Sequence, residues 1–233
     1  MDTALLDAIR DGDRRALSRA ITHVEQNGAE TGLPAPEVVI GITGPPGAGK
    51  STLISGLIDV IRARDETVAI LAVDPSSPVT GGALLGDRIR MQSHVDDVGV
   101  YVRSMATRGH LGGLAPATRS AVALLGMAGF DRLIVETVGV GQSEVEIMDL
   151  ADIVVLVVGP SWGDDVQADK AGIVEIADVF VVNKGDREGV NDVKRALRET
   201  ADARDIEVLV TTATTGEGVA EVLVEIDRLA GLA

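Results

Sequence analysis

Residues 44–51 have the types and the spacing of a phosphate-binding loop. They read Gly-Pro-Pro-Gly-Ala-Gly-Lys-Ser, which matches the pattern G-x-x-x-x-G-K-[ST]. An apolar run at 38–43 precedes them, and a helical pattern with one apolar face follows at 52–64. Glycines let backbone N–H groups turn toward phosphate oxygens, and the start of the helix adds a positive dipole. We expect phosphate contacts from Gly44, Pro45, Pro46, Gly47, Ala48, Gly49, Lys50, Ser51 and Thr52.

Side chains in and near this loop could supply the chemistry of phosphoryl transfer. Lys50 is expected to reach the β- and γ-phosphates, and the Ser51 hydroxyl to bind Mg²⁺. Asp74 and Glu136 each end an apolar run and are candidate magnesium ligands, because carboxylate oxygens suit that ion. Alternatively, Asp74 only stabilises the turn that follows its strand, and Glu136 is a carboxylate at the end of a strand that is solvated and binds no metal. Gln142 could orient the attacking water, or it could be a polar loop residue with no catalytic role.

A second motif, N-K-G-D at 183–186, has the form N-K-x-D that recognises guanine. Asp186 would accept hydrogen bonds from guanine N1–H and the 2-amino group, which adenine does not offer. Since a hydrogen bond to a charged group contributes ~1.5–3 kcal/mol, two would favour guanine by roughly a hundredfold. Lys184 would lie along the base, and Asn183 would join this loop to the phosphate loop. Thr212, Ala213 and Thr214 would complete the pocket, and one of their backbone N–H groups would point at guanine O6.

Glu136 and Gly139 have the spacing of the D-x-x-G element of GTPases, with glutamate in place of aspartate. In this interpretation the Glu136 carboxylate faces Mg²⁺, through a water molecule, and the Gly139 N–H contacts the γ-phosphate. We therefore expect residues 137–143 to move when GTP is hydrolysed.

Strand-like and helical patterns alternate along most of the sequence, which predicts an α/β fold of the P-loop NTPase type. The sheet should be mainly parallel, of about seven strands, with helices on both faces. Residues 1–36 are interpreted as an N-terminal helical extension of two short helices, with Asp13 as an N-cap. Residues 37–233 are interpreted as a P-loop GTPase domain. The apolar runs lie at 38–43, 67–73, 98–102, 132–136, 153–158, 178–183 and 207–211.

Composition excludes several classes of protein. A net charge of −15 argues against a general nucleic-acid binder. No apolar run approaches the ~20 residues that span a bilayer, and there is no signal-peptide pattern, so we expect no membrane association. The absence of cysteine excludes disulfides and fits a cytoplasmic protein. The acidic, lysine-poor composition is typical of proteins that work in high salt, and equally of ordinary acidic bacterial proteins.

Trp162, the sole tryptophan, follows the fifth apolar run. Burial in the core is the expected fate of such a residue. An exposed aromatic that marks a partner surface is the alternative.

Together these motifs resemble the MeaB/ArgK family, the GTPases associated with methylmalonyl-CoA mutase. The most specific match is Glu-Thr-Val-Gly-Val-Gly-Gln-Ser-Glu at 136–144, because few other GTPases carry it. The resemblance extends from about residue 10 to about residue 228. The other matching stretches are 12–17, 44–52, 73–77, 81–82, 85–87 and 107–113.

The resemblance implies a G protein related to hydrogenase and urease maturation GTPases, with GTP or GDP and Mg²⁺ as cofactors. It also implies that the protein, like members of the MeaB/ArgK family, binds an adenosylcobalamin-dependent mutase, gates the loading of its cofactor and protects it from inactivation. By position, Ser51, Asp74 and Glu136 would hold Mg²⁺, and 160–172 would contact the mutase. The family builds a homodimer from C-terminal helices that follow this region; since the sequence ends at Ala233, the homodimer is left open.

Three other functions remain open. The first is a metallochaperone GTPase for another enzyme, although the lack of cysteine and of clustered histidine weighs against metal delivery. The second is a nucleotide-gated binding module with negligible turnover, which only kinetics would distinguish. The third is a kinase, against which the guanine motif and the lack of a visible acceptor pocket weigh.

Overall fold

Among the described residues seven strands form one sheet, and the strand that precedes the phosphate-binding motif lies at its centre. The strands are β1 (Ile40–Thr43), β2 (Val68–Asp74), β3 (Val100–Ala106), β4 (Arg132–Thr137), β5 (Ile153–Val158), β6 (Val179–Asn183) and β7 (Val208–Thr211). The computed structural model describes residues 1–30, 32–74, 94, 96–106, 116–137, 149–160, 162 and 171–232. The strand order is β3-β2-β4-β1-β5-β6-β7, and every neighbouring pair is parallel. The predicted parallel sheet is confirmed.

The register of the central strands brings their carboxyl ends to one edge of the sheet. Ile42 of β1 lies beside Glu136 of β4, and Asn183 of β6 lies beside Thr211 of β7. The strands are rich in Val and Ile and are buried on both faces, as expected where helices cover a parallel sheet. Ligands of open parallel sheets bind outside such carboxyl ends, so this edge is where the predicted motifs should meet.

Seven helices lie among the described residues and cover both faces of the sheet, as predicted. They are α1 (Thr3–Arg10), α2 (Arg14–Asn27), α3 (Lys50–Arg62), α4 (Pro116–Met127), α5 (Ala171–Ile176), α6 (Val190–Arg204) and α7 (Val219–Leu229). One face carries α3 and α7, whose apolar residues share a core with β1 and its neighbours. In the described part of the chain, no helix combines the length and the apolar character needed to cross a bilayer.

The N-terminal helices pack on the other face of the sheet, beside α4. Leu17 and Ile21 of α2 are fully buried in a core shared with β2, β4 and α4. Asp13 caps α2 as predicted, since its carboxylate accepts hydrogen bonds from the N–H groups of Arg15 and Ala16. These two bonds, from Ala16 and then Arg15, lower the pKa of the Asp13 carboxyl. The domain boundary at residue 36 stays a prediction.

Ion pairs join the amino ends of the strands to α7, at the edge opposite the motifs. Arg132, the first residue of β4, contacts Glu66 at 2.7 Å and Asp227 of α7 at 2.7 Å. Arg64 contacts the other oxygen of Asp227 at 2.6 Å. The side chains of Arg132 and Asp227 are each only 9% exposed, so this cluster is largely withdrawn from water. It fixes α7 against the end of α3 and the start of β4.

Candidate nucleotide-binding site

The loop after β1 requires glycine at two positions. Gly44 has φ +137°, and a Cβ there would lie 2.0 Å from the backbone oxygen of Val157. Gly49 has φ +99°, and its Cβ would lie 2.2 Å from the Asn183 amide nitrogen. A side chain at either position would therefore both strain the backbone and collide with a neighbour. The loop is held tightly between β5 and the N-K-G-D motif because both glycines lack a side chain.

Lys50 begins α3 at the end of this loop and is 5% exposed. Its ammonium donates hydrogen bonds to the carbonyl oxygens of Gly44 at 2.6 Å and Pro45 at 3.2 Å. The side chain is thus folded across the mouth of its own loop. An ammonium has three rotatable donors, so phosphate oxygens can replace these carbonyls without movement of the helix. The α3 N-terminus adds a partial positive charge at the same place.

Ser51 and Glu136 meet directly beneath the loop. The Ser51 hydroxyl donates a hydrogen bond to Glu136 Oε1 at 2.8 Å, and the two residues are 3% and 1% exposed. A serine hydroxyl has oxygen lone pairs besides its hydrogen, so Ser51 can donate to Glu136 and bind Mg²⁺ with its oxygen, while Glu136 faces the ion through water as predicted. The contact therefore fits a magnesium site.

Three of the predicted site residues cannot be placed in this geometry. Asp74 ends β2 at the same edge of the sheet, and its side chain lies outside the described residues. Gly139 and Gln142 also lie outside the described residues, as does most of the 160–172 segment. Their assigned roles stay predictions.

Asn183 joins the two motifs, as its position predicts. Its amide nitrogen donates to the carbonyl of Ala48 at 3.0 Å, while its amide oxygen accepts from the Thr211 hydroxyl and the Ala213 N–H, each at 3.1 Å. The side chain is 3% exposed. One buried amide thereby fixes the phosphate loop, the end of β6 and the loop after β7 relative to one another. Buried polar networks that are satisfied in this way hold a single geometry.

The remaining residues of the base motif lie at the same edge of the sheet. Lys184 has φ +63°, and its ammonium donates to the Gly47 carbonyl at 2.6 Å, so its stem runs across the loop. Asp186 is exposed and available to a ligand. Within the 212–214 loop, the N–H of Thr212 donates to Glu217 and that of Ala213 to Asn183. The Thr214 N–H is therefore the candidate donor to guanine O6.

Two contacts at this edge were not predicted from the sequence. The Thr137 hydroxyl donates to the Thr43 hydroxyl at 3.1 Å, and both threonines are fully buried between the ends of β1 and β4. Gly159 and Pro160 lie beside the base motif, where a Cβ on Gly159 would be 4.0 Å from Lys184 Cδ. Both contacts depend on which strands are neighbours, and the alternation of strands and helices does not specify that order.

Comparison with known proteins agrees with this geometry. The family model described as "Methylmalonyl Co-A mutase-associated GTPase MeaB" matches residues 17–232. The chain belongs to the MeaB family. As a member, it is a GTPase, and the resemblance read from its motifs is confirmed.

Two relatives show how far this family likeness extends. A protein of Pyrococcus horikoshii is 49% identical over 234 residues, which cover 93% of this chain and 74% of that protein. The mouse protein "Methylmalonic aciduria type A homolog, mitochondrial" is 38% identical over 192 residues, which cover 78% of this chain and 46% of that protein.

A solved structure supports the fold of the MeaB-family chain. The crystal structure of an LAO/AO transport system kinase superposes with a TM-score of 0.74 at 24% identity, covering 100% of this chain and 77% of that chain. At this identity the likeness concerns the fold alone, so the P-loop NTPase architecture carries over and the kinase name does not.

Proposed function

We propose that this GTPase uses GTP binding and hydrolysis to gate cofactor loading of an adenosylcobalamin-dependent methylmalonyl-CoA mutase and to protect that enzyme from inactivation. The observation that carries the nucleotide site is the meeting of two motifs at one edge of the sheet, joined by the hydrogen bond from Asn183 to Ala48. The link to the mutase is supported by the name of the family, which describes its members as associated with methylmalonyl-CoA mutase.

In this proposal the phosphate loop stabilises the charge on the transferring phosphoryl group. Lys50 leaves the carbonyls of Gly44 and Pro45 and donates to phosphate oxygens, together with the backbone N–H groups of the loop. Ser51 and Glu136, with Asp74, would hold Mg²⁺, which supplies positive charge to the phosphate oxygens. Since Ser51, Glu136 and the phosphate loop are held by the hydrogen bonds described above, little reorganisation of these groups is needed when the attacking water arrives.

Guanine recognition in this proposal is shared between two loops. Asp186 accepts the two hydrogen bonds that only guanine offers, and Lys184 covers one face of the base. The Thr214 N–H donates to guanine O6. The hydrogen bonds of Asn183 support this arrangement, because they hold both loops at a fixed distance from the phosphate loop.

We further propose that the protein works in the cytoplasm. Residues 1–36 would form a helical extension of the domain at 37–233. A homodimer is the assembly that the family resemblance implies, and light scattering of the purified chain would measure it.

Loading of the mutase tests the chaperone role directly. Apo-mutase and adenosylcobalamin are mixed with this protein and GTP, GDP or a non-hydrolysable GTP analogue, and the bound cofactor is followed by its visible absorbance. We expect loading to depend on which nucleotide is present, and Lys50→Ala to abolish that dependence. Loading that is the same with every nucleotide would contradict the chaperone role, while leaving the GTPase itself intact.

A further inference from the structure

Trp162 is buried in the core between the sheet and two helices. It is 5% exposed and belongs to the cluster that holds Val158 of β5, Ile173 of α5 and Val193 and Leu197 of α6. Its expected burial is therefore confirmed. A tryptophan has the largest side chain of any residue, so this anchor fixes the position of the backbone to which it is attached.

The backbone of Trp162 is tied to the residue that follows β5. The Trp162 N–H donates to the carbonyl oxygen of Gly159 at 3.0 Å. Because one end of this hydrogen bond is held by the buried indole, the position of Gly159 depends on Trp162.

Gly159 lies close to both nucleotide motifs. A Cβ added to Gly159 would be 4.0 Å from Lys184 Cδ and 4.0 Å from Ala48 Cα, so the space beside this glycine is bordered by both motifs. Pro160 packs against Gly189, the N-cap of α6, where a Cβ would lie 3.3 Å from the Pro160 carbonyl oxygen. Gly189 has φ +90° and follows the N-K-G-D motif by three residues. Gly159 and Pro160 thus lie beside Lys184 and beside the start of α6.

We propose that Trp162 is a positioning residue for guanine recognition. Its indole fixes Gly159, and with it Pro160, beside Lys184 and Gly189, and this placement keeps the Lys184 stem and Asp186 in the orientation that accepts the base. The inference rests on the proposed role of the N-K-G-D motif. It assigns to Trp162 no part in phosphate binding, because the Lys50 ammonium is held within its own loop by the carbonyls of Gly44 and Pro45.

The affinity for GDP and for pyrophosphate separates positioning of the base from general stability. Both are measured by calorimetry, pyrophosphate by competition with GDP. We expect Trp162→Ala to weaken GDP binding about tenfold or more, and to change pyrophosphate binding by less than about twofold. Trp162→Phe should keep GDP affinity within about threefold of the wild type, because an aromatic ring still fills the core. Leu197→Ala, a loss in the same core, should lower the melting temperature and leave the ratio of the two affinities unchanged.

Unchanged GDP affinity in Trp162→Ala, or an equal loss of GDP and pyrophosphate affinity, would overturn the inference. If that variant does not fold, the wild type decides, since its fluorescence comes from a single tryptophan. We expect GDP to change the emission and saturating pyrophosphate to leave it unchanged; equal responses to both would also overturn the inference. A wild type that binds no GDP at all would instead contradict the proposed nucleotide site.

Discussion

The hydroxyl of Ser51 donates a hydrogen bond to Glu136 Oε1 over 2.8 Å, which links the first turn of α3 to the end of β4. Aspartate is common at the position of Glu136 in GTPases, and the extra methylene of glutamate gives the carboxylate a longer reach toward Ser51. In the predicted magnesium site, Ser51 binds the ion with its hydroxyl oxygen and donates its hydrogen to Glu136, which faces the ion through water. This contact is therefore the place where the metal dependence of the protein can be tested.

Replacing Glu136 by Gln should remove the charge and keep the hydrogen bond, because an amide oxygen also accepts from Ser51. We expect the melting temperature to stay close to that of the wild type. The Mg²⁺ concentration that gives half-maximal GTP turnover should rise about 10–100-fold, the usual cost of altering a group that holds a metal. Turnover is measured across a magnesium titration, and chelation of the metal should stop it in both proteins. An unchanged magnesium dependence would exclude Glu136 from the metal site.

Asp186→Asn should move base preference from guanine toward xanthine. The carboxylate accepts from guanine N1–H and the 2-amino group, whereas an amide offers one acceptor and one donor group. Loss of two charged hydrogen bonds, each ~1.5–3 kcal/mol, predicts a decrease of roughly a hundredfold or more in GTP-over-XTP selectivity. Competition binding with GDP and XDP measures this ratio. The control is Asp192→Asn on the exposed surface of α6, which should leave it unchanged.

The ion pairs of Arg64 and Arg132 with Asp227, at the amino ends of the strands, should contribute strongly to the free energy of unfolding. Asp227→Ala leaves the largely buried Arg132 with Glu66 as its remaining partner, and it also removes the partner of Arg64. We expect a loss of about 3 kcal/mol in the free energy of unfolding, measured by urea titration. Asp192→Ala breaks an ion pair with Arg195 in which both side chains are more than two-thirds exposed, so it should cost less than about 1 kcal/mol. Equal losses in the two variants would contradict this account of the cluster.

Asp131 should make part of the stability depend on pH. The Thr67 backbone N–H and hydroxyl both donate to Asp131 Oδ2 at 2.7 Å, and chiefly the backbone bond lowers the pKa of this carboxyl. Because the folded value lies below the unfolded one of about 3.9, the stabilisation is complete above that pH. It is lost as the pH falls through the folded pKa.

Asp131→Asn therefore should lower the melting temperature most near neutral pH. The difference from the wild type should shrink as the pH is taken below about 4. Asp202→Asn, on the exposed side of α6, is the control. A difference that stays constant across this pH range would show that the charge of Asp131 is not what stabilises the fold.

The sequence predicted the elements well because their patterns are strong. Runs such as Ile-Val-Val-Leu-Val-Val at 153–158 have few alternatives to a buried strand, and all seven predicted runs became strands. Boundaries were less accurate. The run at 38–43 begins its strand only at Ile40, because the Val39 carbonyl accepts from the N–H groups of Asp152 and Ile153 outside the regular ladder.

The site was predicted to the extent that its residues lie in motifs. The contact between Asn183 and the phosphate loop followed from the two motifs alone. The hydrogen bond from Lys50 to the Gly44 carbonyl could not be predicted, because a lysine ammonium can rotate among several acceptors. The closeness of Gly159 to Lys184 could not be predicted either, because it depends on β5 and β6 being neighbours, and the alternation of strands and helices does not specify that order.

Stimulation of GTP turnover by a methylmalonyl-CoA mutase tests the central claim most directly. The full chain is assayed alone, with the purified mutase from the same organism and with an unrelated enzyme at equal concentration, at low and high salt. We predict slow turnover alone and at least a severalfold increase that only the mutase gives and that Lys50→Ala removes. Turnover that is identical in all three mixtures would contradict the mutase association, and would leave a GTPase that serves another partner.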